Sequence, residues 1–359
     1  MPHTPIQKVT IQNCGCVKKV EVNLTRLHAL IGPNDSGKST ILRALRTATQ
    51  FAAGEFTRND KGEFLPFTPL VSESSDGALI GLALDDEYRV GCADGALFEE
   101  VLHGGVSLPP GRQPRPLPGK SRLWNPHIRP DPLRRLAKLK EQLSLATLVR
   151  FDPDALRAAA PLLLDTEGVR FGDERGTGLA AVYDAIQNDR EAIQAIEERV
   201  RELFPTVKSI GLSVPVGQMK AVKVTLKDGK PIGAHEMSEG LLYFLGFAAL
   251  QYCGSSLLLV EEPENGLHPS RIRDVMEILR KISETAQVVI ATHSPLVINE
   301  MKPGEVTVVT RDESGTHCKP IGETPGFAER SKVYALGELW LSYANGKDEA
   351  PLLKGGARE

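Results

Sequence analysis

A glycine-rich loop set between an aliphatic run and a helix-periodic run, answered more than two hundred residues later by a second aliphatic run that ends in two acids, restricts the folds open to this chain more than any other feature. The first run is Leu27–Ile31 and the loop is Gly32-Pro33-Asn34-Asp35-Ser36-Gly37-Lys38-Ser39; Ile41, Leu42, Leu45 and Ala48 then recur at helical spacing across Lys38–Thr49. The loop fits G-x-x-x-x-G-K-[ST], and strand, glycine loop, helix is the context that pattern requires. The second run, Leu257-Leu258-Leu259-Val260-Glu261-Glu262-Pro263, reads as a short strand with four aliphatic residues ahead of its acids. From His235 onward helix and strand alternate, with Glu239–Tyr252, Leu257–Val260, Ser270–Thr285 and Gln287–Ala291 as the elements. Alternation of this kind implies an α/β fold around a mostly parallel sheet.

The chemistry follows from the residue types. A polyphosphate needs several N–H donors converging on it, and a glycine turn running into a helix N-terminus supplies them together with the favourable end of the helix dipole. Gly32 and Gly37 let the backbone turn and approach closely, Lys38 reaches the β- and γ-phosphates, and Ser39 offers a hydroxyl to Mg²⁺. Pro33, Asn34, Asp35, Ser36 and Thr40 complete the expected nucleotide-binding set. Glu261 and Glu262 fall at the C-terminal end of a buried parallel strand, where ligands of open α/β sheets sit. The expected division of labour gives the metal to Glu261, with Ser39, and the attacking water to Glu262. His293 closes the next aliphatic strand, Val288–Thr292, within reach of the γ-phosphate or the water. Alone, the acids would read as a solvated pair and the histidine as a structural cap; the loop tips both toward catalysis, with Lys38 as third member.

The remainder of the chain is organised around this split core. Short β-rich runs at Lys8–Gln12 and Val17–Val22 precede the loop strand, and Ala78–Val90 forms a second β-rich patch. His103–Pro132 is dense in proline and arginine and reads as an irregular insertion. Helices are expected at Pro132–Leu143 and Asp154–Leu164, then one long amphipathic helix over Leu179–Phe204, too short for a coiled-coil arm. A hairpin-like pair follows at Ser209–Val214 and Ala221–Leu226, with Asp228-Gly229 as a turn. The expected divisions are 1–100 for the first core lobe, 101–205 for an inserted lid, 206–310 for the second lobe and 311–359 for a tail.

Net charge is −3, so any contact with nucleic acid must be local. The local candidate is Arg112, Arg115, Lys120, Arg122, Arg129, Arg134, Arg135, Lys138 and Lys140, with Trp124 as its one aromatic. This cluster suits sequence-independent contact with duplex DNA better than single-strand stacking, and equally suits a solvated insertion. The five cysteines include no C-x-x-C pair, and Cys14-x-Cys16 alone makes a poor zinc site. A reduced, cytoplasmic chain is expected, with no membrane span and no signal-peptide core.

These residues resemble a known family. Gly32–Ser39 looks like the Walker A loop, Leu257–Glu262 like the Walker B strand, Glu264-Asn265-Gly266-Leu267-His268-Pro269 like the D-loop, and Thr292-His293-Ser294 like the switch-histidine segment of ABC-type ATPases. The string from Glu261 to Pro269 is most similar to the SMC-like branch that holds RecF-like and OLD proteins. His235-Glu236-Met237-Ser238-Glu239-Gly240 resembles a variant signature motif that keeps Ser238 and Gly240. The resemblance covers about half the chain. It implies an ABC-type P-loop head with a mostly parallel sheet, an antiparallel β-subdomain and an inserted helical lid. It also implies ATP and Mg²⁺ as ligands and a homodimer that closes on ATP, with Ser238 and Gly240 of one copy meeting the γ-phosphate held by the other. The competing reading of Ser238 is an ordinary helix cap. No Q-loop glutamine is assigned between Gln50 and Gln142, and no aromatic precedes the loop to stack adenine.

OLD nucleases carry a Toprim domain after the ATPase, and the roughly fifty residues beyond Thr310 are too few for one, so a separate protein effector is expected. Val333–Leu341 either docks such a partner or packs on its own core. Two functions fit: an ATPase in phage defence or DNA repair, and a nucleotide-gated scaffold with little turnover.

Overall fold

A computed structural model describes residues 4–53, 57–58, 64–65, 77–93, 96–103, 106–107, 139, 143, 146–161, 169–217 and 219–343. The basic cluster from Arg112 to Lys140 and Trp124 lie outside the described residues, as does most of the expected helix Pro132–Leu143, of which Leu139 and Leu143 are described and buried. The chain divides into two compact units, residues 1–148, 256–262 and 283–359 in the first and 149–255 and 263–282 in the second.

The first unit is built on two sheets. In one, the order is Ala146–Val149, Leu257–Glu261, Gln287–Thr292, Leu27–Ile31, Val306–Asp312, Gly315–Pro320. The strands Leu257–Glu261, Gln287–Thr292, Leu27–Ile31 and Val306–Asp312 run parallel, and Gly315–Pro320 returns antiparallel as a hairpin. Every residue of the first three is buried, as expected of parallel strands covered on both faces. The other sheet is an antiparallel meander in which Val17–Asn23, Lys8–Cys14, Ala78–Ala83, Glu87–Ala93, Ala96–His103 and Val106–Ser107 lie side by side. The loop helix Lys38–Ala53 presents Ile41, Leu42, Leu45 and Ala48 to a core it shares with Ile11, Ile80 and Tyr88 from the antiparallel sheet and Leu259 and Val289 from the parallel one. This one core joins both sheets to the helix that begins at the glycine loop.

Two buried polar side chains fix strand register here. Gln287, at the start of its strand, donates to Ile6 O and Thr25 O and accepts from Ile6 N, so all its polar atoms are satisfied. His28, in the loop strand, bonds Thr307 Oγ1 at 3.0 Å across to Val306–Asp312. Burial pushes its imidazole down to about 4, so it is neutral in the fold. The tail is anchored on this unit: Leu339 and Trp340 are buried, Gly337 N donates to Asn299 Oδ1 at 2.7 Å, and Val333, Tyr334 and Leu341 stay exposed.

The second unit pairs an antiparallel sheet with helices. Val207–Val216 and Met219–Leu226 form the expected hairpin, Ala160–Pro161 pairs with Met219–Leu226, and the Asp228-Gly229 turn delivers a further strand, Pro231–Gly233. Two helical expectations need correction. The single helix over Leu179–Phe204 is two, Leu179–Ile186 and Arg190–Leu203, because Asp189 leaves helical geometry and its carboxylate accepts Glu191 N and Ala192 N as the second helix's cap. The helix over Asp154–Leu164 stops at Arg157 and gives way to Ala160–Pro161, since Pro161 has no N–H to continue it. Arg199 ties Arg190–Leu203 to Pro269–Ile282 through Asp274 and Glu277 at 3.0 and 2.6 Å.

Candidate functional site

Parallel strands end at one edge, and register sets which residues meet there. Glu261 lies opposite Ala291, and Thr292 opposite Ile31. The residues that follow, Glu262, His293 and Gly32, therefore leave the sheet side by side at the carboxyl edge.

The glycine loop has the shape that its sequence demands. A methyl group on Gly32 would sit 2.0 Å from Val309 O, and one on Gly37, whose φ is +107°, would meet Thr316 Oγ1 at 2.8 Å and Cys16 Sγ at 3.2 Å. Both positions accept glycine alone. Lys38 is buried and folds back over the loop, donating to Gly32 O at 2.8 Å and Pro33 O at 2.7 Å. Asn34 and Asp35 stand exposed at the crest, and Ser36 is buried with its Oγ making no hydrogen bond among the described residues. A cradle closed to side chains, a folded-back cation and an orphaned hydroxyl fit an anionic ligand that would engage all three. Thr40 Oγ1 and Cys16 Sγ lie within hydrogen-bond distance, 3.4 Å apart.

At the foot of the loop, Ser39 Oγ donates to Glu261 Oε1, so the two residues expected to share a metal are in contact. Among the described residues no group of three or more His, Cys, Asp or Glu forms a metal cage. A hydroxyl and a carboxylate are nonetheless the hard oxygen donors suited to Mg²⁺, which commonly takes its other ligands from phosphate and water. Glu262 has φ +50°, a left-handed backbone that a non-glycine residue rarely adopts, while its N–H donates to Ala291 O at 2.8 Å. Its carboxylate meets His293, whose Nδ1 lies 3.6 Å from Glu262 Oε1. Strain held in place at such a position is a mark of function.

Sequence reasoning missed the groups that hold the loop from its far side. Arg311 Nη1 donates to Asp35 Oδ2 at 2.9 Å, and buried Thr316 donates to Ser36 O at 3.1 Å. Both come from the hairpin Val306–Pro320, and no local signal marks them, because each meets the loop across nearly three hundred residues of chain.

The other predicted anion site lies in the second unit. Ser238 caps Glu239–Leu250 by accepting Leu241 N at 3.4 Å. Ser238 and Glu239 are exposed, and a methyl group on Gly240 would meet nothing within 4 Å. In the segment that follows the paired acids, Gly266 has φ +69° and lies under Tyr243, where a methyl group would fall 2.0 Å from the ring.

Comparison with known proteins bears on the fold and the family. An SMC head bound to the C-winged helix domain of ScpA superposes at a TM-score of 0.59 and 14% identity, over 88% of this chain and 97% of that one. A second SMC head, with an extended coiled coil and bound to the C-terminal domain of ScpA derived from Pyrococcus furiosus, superposes at 0.51 and 12% identity, over 89% and 96%. At such identities the likeness establishes the fold, that of an ABC ATPase head. The Old nuclease of Escherichia phage P2 is 38% identical over 143 residues, a stretch that covers 34% of this chain and 24% of the phage protein, so the match spans about a quarter of that relative's length. The family described as "AAA domain, putative AbiEii toxin, Type IV TA system" matches residues 27–299, from the loop strand past the histidine. The chain belongs to this AAA-domain family, within the SMC-like, OLD-type group of ABC ATPases.

Proposed function

We infer that the protein is a Mg²⁺-dependent ATPase whose two copies close on ATP and whose closure is read by a separate protein effector in phage defence or DNA repair. The observation that carries the enzymatic part is the contact between Ser39 and Glu261 beside a strained Glu262 that faces His293. Lys38 would leave Gly32 O and Pro33 O for the phosphates, exchanging two neutral acceptors for charged ones. Mg²⁺, held by Ser39 and Glu261, would neutralise charge on the β- and γ-oxygens. Glu262 orients the attacking water and accepts its proton, while His293, through Nδ1 or Nε2, steadies the γ-phosphate or that water.

Under this reading Ser238 and Gly240 form a half-site for a nucleotide bound by the second copy. A family described as a putative AbiEii toxin of a Type IV TA system, together with a relative from a phage, supports the defence reading. Duplex DNA is the ligand proposed for the arginine-rich insertion, and a gel shift with and without ATP tests it.

Hydrolysis by wild type and Glu262→Gln, together with the ATP dependence of particle mass, tests the whole. Loss of the general base is expected to slow turnover by about 10²- to 10⁴-fold while the ATP-bound dimer persists. Equal rates for the two proteins, with ATP still joining both into dimers, would leave a nucleotide-gated scaffold instead.

A further inference from the structure

The crest of the phosphate loop carries an acid. Asp35 lies between Gly32 and Gly37, its side chain is 87% exposed, and its φ of +65° places it in the left-handed region that a short polar side chain tolerates. Given the nucleotide reading above, on which this inference rests, a carboxylate at that place opposes the loop's purpose. The ligand brings several negative charges to the converging N–H groups, and a fixed anion among them repels it.

The neighbouring strand answers that charge. Val306–Asp312 runs parallel to the loop strand, with Val308 opposite Ile31, so that residues a few positions further on flank the loop. There Arg311 Nη1 donates to Asp35 Oδ2 at 2.9 Å and reaches Asp35 O at 3.5 Å. One guanidinium thus cancels the carboxylate and fastens the backbone of the crest. The hairpin is itself fixed beside the loop by Thr316 on Ser36 O, which keeps the arginine in register with Asp35. We propose that Arg311 is a positioning residue for nucleotide: it neutralises Asp35 and holds the crest in its left-handed shape, so that the polyphosphate meets the loop's N–H groups without an opposing carboxylate.

The test measures ATP and ADP binding by the full chain as wild type, Arg311→Ala, Arg311→Lys, Asp35→Asn and the double variant Asp35→Asn/Arg311→Ala, at low and high salt. Arg311→Ala is expected to weaken ATP binding about tenfold, the scale of one charge-assisted contact, and to weaken ADP binding less because ADP carries less charge. The deficit shrinks at high salt, Arg311→Lys restores most of the affinity, and the double variant binds better than Arg311→Ala. That last rescue separates charge compensation from simple propping of the loop. Wild-type affinity in Arg311→Ala, or a double variant as weak as the single one, overturns the proposal. A wild type that binds no nucleotide overturns the underlying reading, which the same titration shows separately.

Discussion

The glycine loop and the capped start of Glu239–Leu250 are both helix N-termini suited to an anion, and they are finished to different degrees. At the loop, the chain's own atoms close in from every side: Val309 O behind Gly32, Thr316 and Cys16 behind Gly37, and Lys38 folded over the top. At the helix start, Ser238 and Glu239 face solvent and the space beside Gly240 is open. On the nucleotide reading, a loop closed in this way would hold its ligand with residues of one unit. A helix terminus with one serine cap and open space beside it would supply only part of a binding site, as the proposed shared half-site would.

The contrast is sharpest with alanine placed on each side of it. Gly37→Ala forces a side chain into a left-handed residue and against Thr316, at a cost of about 1–3 kcal/mol, and is expected to weaken ATP binding by up to about 100-fold. Gly240→Ala meets open space, so ATP affinity of the single chain stays near wild type while ATP-dependent dimer mass is lost. If titration calorimetry finds both variants equally impaired in binding, the distinction between closed and open sites fails.

The closed site also rests on a strand with a buried neutral histidine. His28 has a folded value of about 4 against an ordinary 6.5, so between those pH values the unfolded chain binds the extra proton. Its contribution is therefore intact above about pH 6.5 and declines as pH falls toward 4, by about 3 kcal/mol in all. Denaturant unfolding at pH 7 and pH 4.5 should show a steeper loss in wild type than in His28→Gln, and parallel losses would exclude the histidine.

The smallest effect is expected at the brace. Thr316→Val keeps the shape but leaves Ser36 O without its donor, which should weaken ATP binding about 5-fold, while Thr316→Ser restores it. Unchanged affinity in Thr316→Val would show that the loop needs no support from the hairpin.

What the sequence made legible was whatever is local and periodic. The three buried strands announce themselves as aliphatic runs, and the loop's spacing places Gly32, Gly37, Lys38 and Ser39 without help from the fold. The register that levels Glu261, Thr292 and Ile31 follows once those strands are parallel. Asp189 and Pro161 were readable as a cap and a break, and amphipathic periodicity across them obscured both. The left-handed turn of Glu262 had no local signal, and the bond from its N–H to Ala291 O lies in another strand, out of reach of sequence pattern. Arg311 and Thr316 belong to the same class, polar residues given meaning only by which strand lies beside the loop.

One contact in the second unit sets how closely two of its segments can pack. Tyr243 stands one turn into the helix that Ser238 caps, and its ring fills the space over Gly266, four residues after Glu262. Any side chain at position 266 would collide with that ring, so the bare backbone of Gly266 is what lets the capped helix and the segment after the acids pack directly on one another.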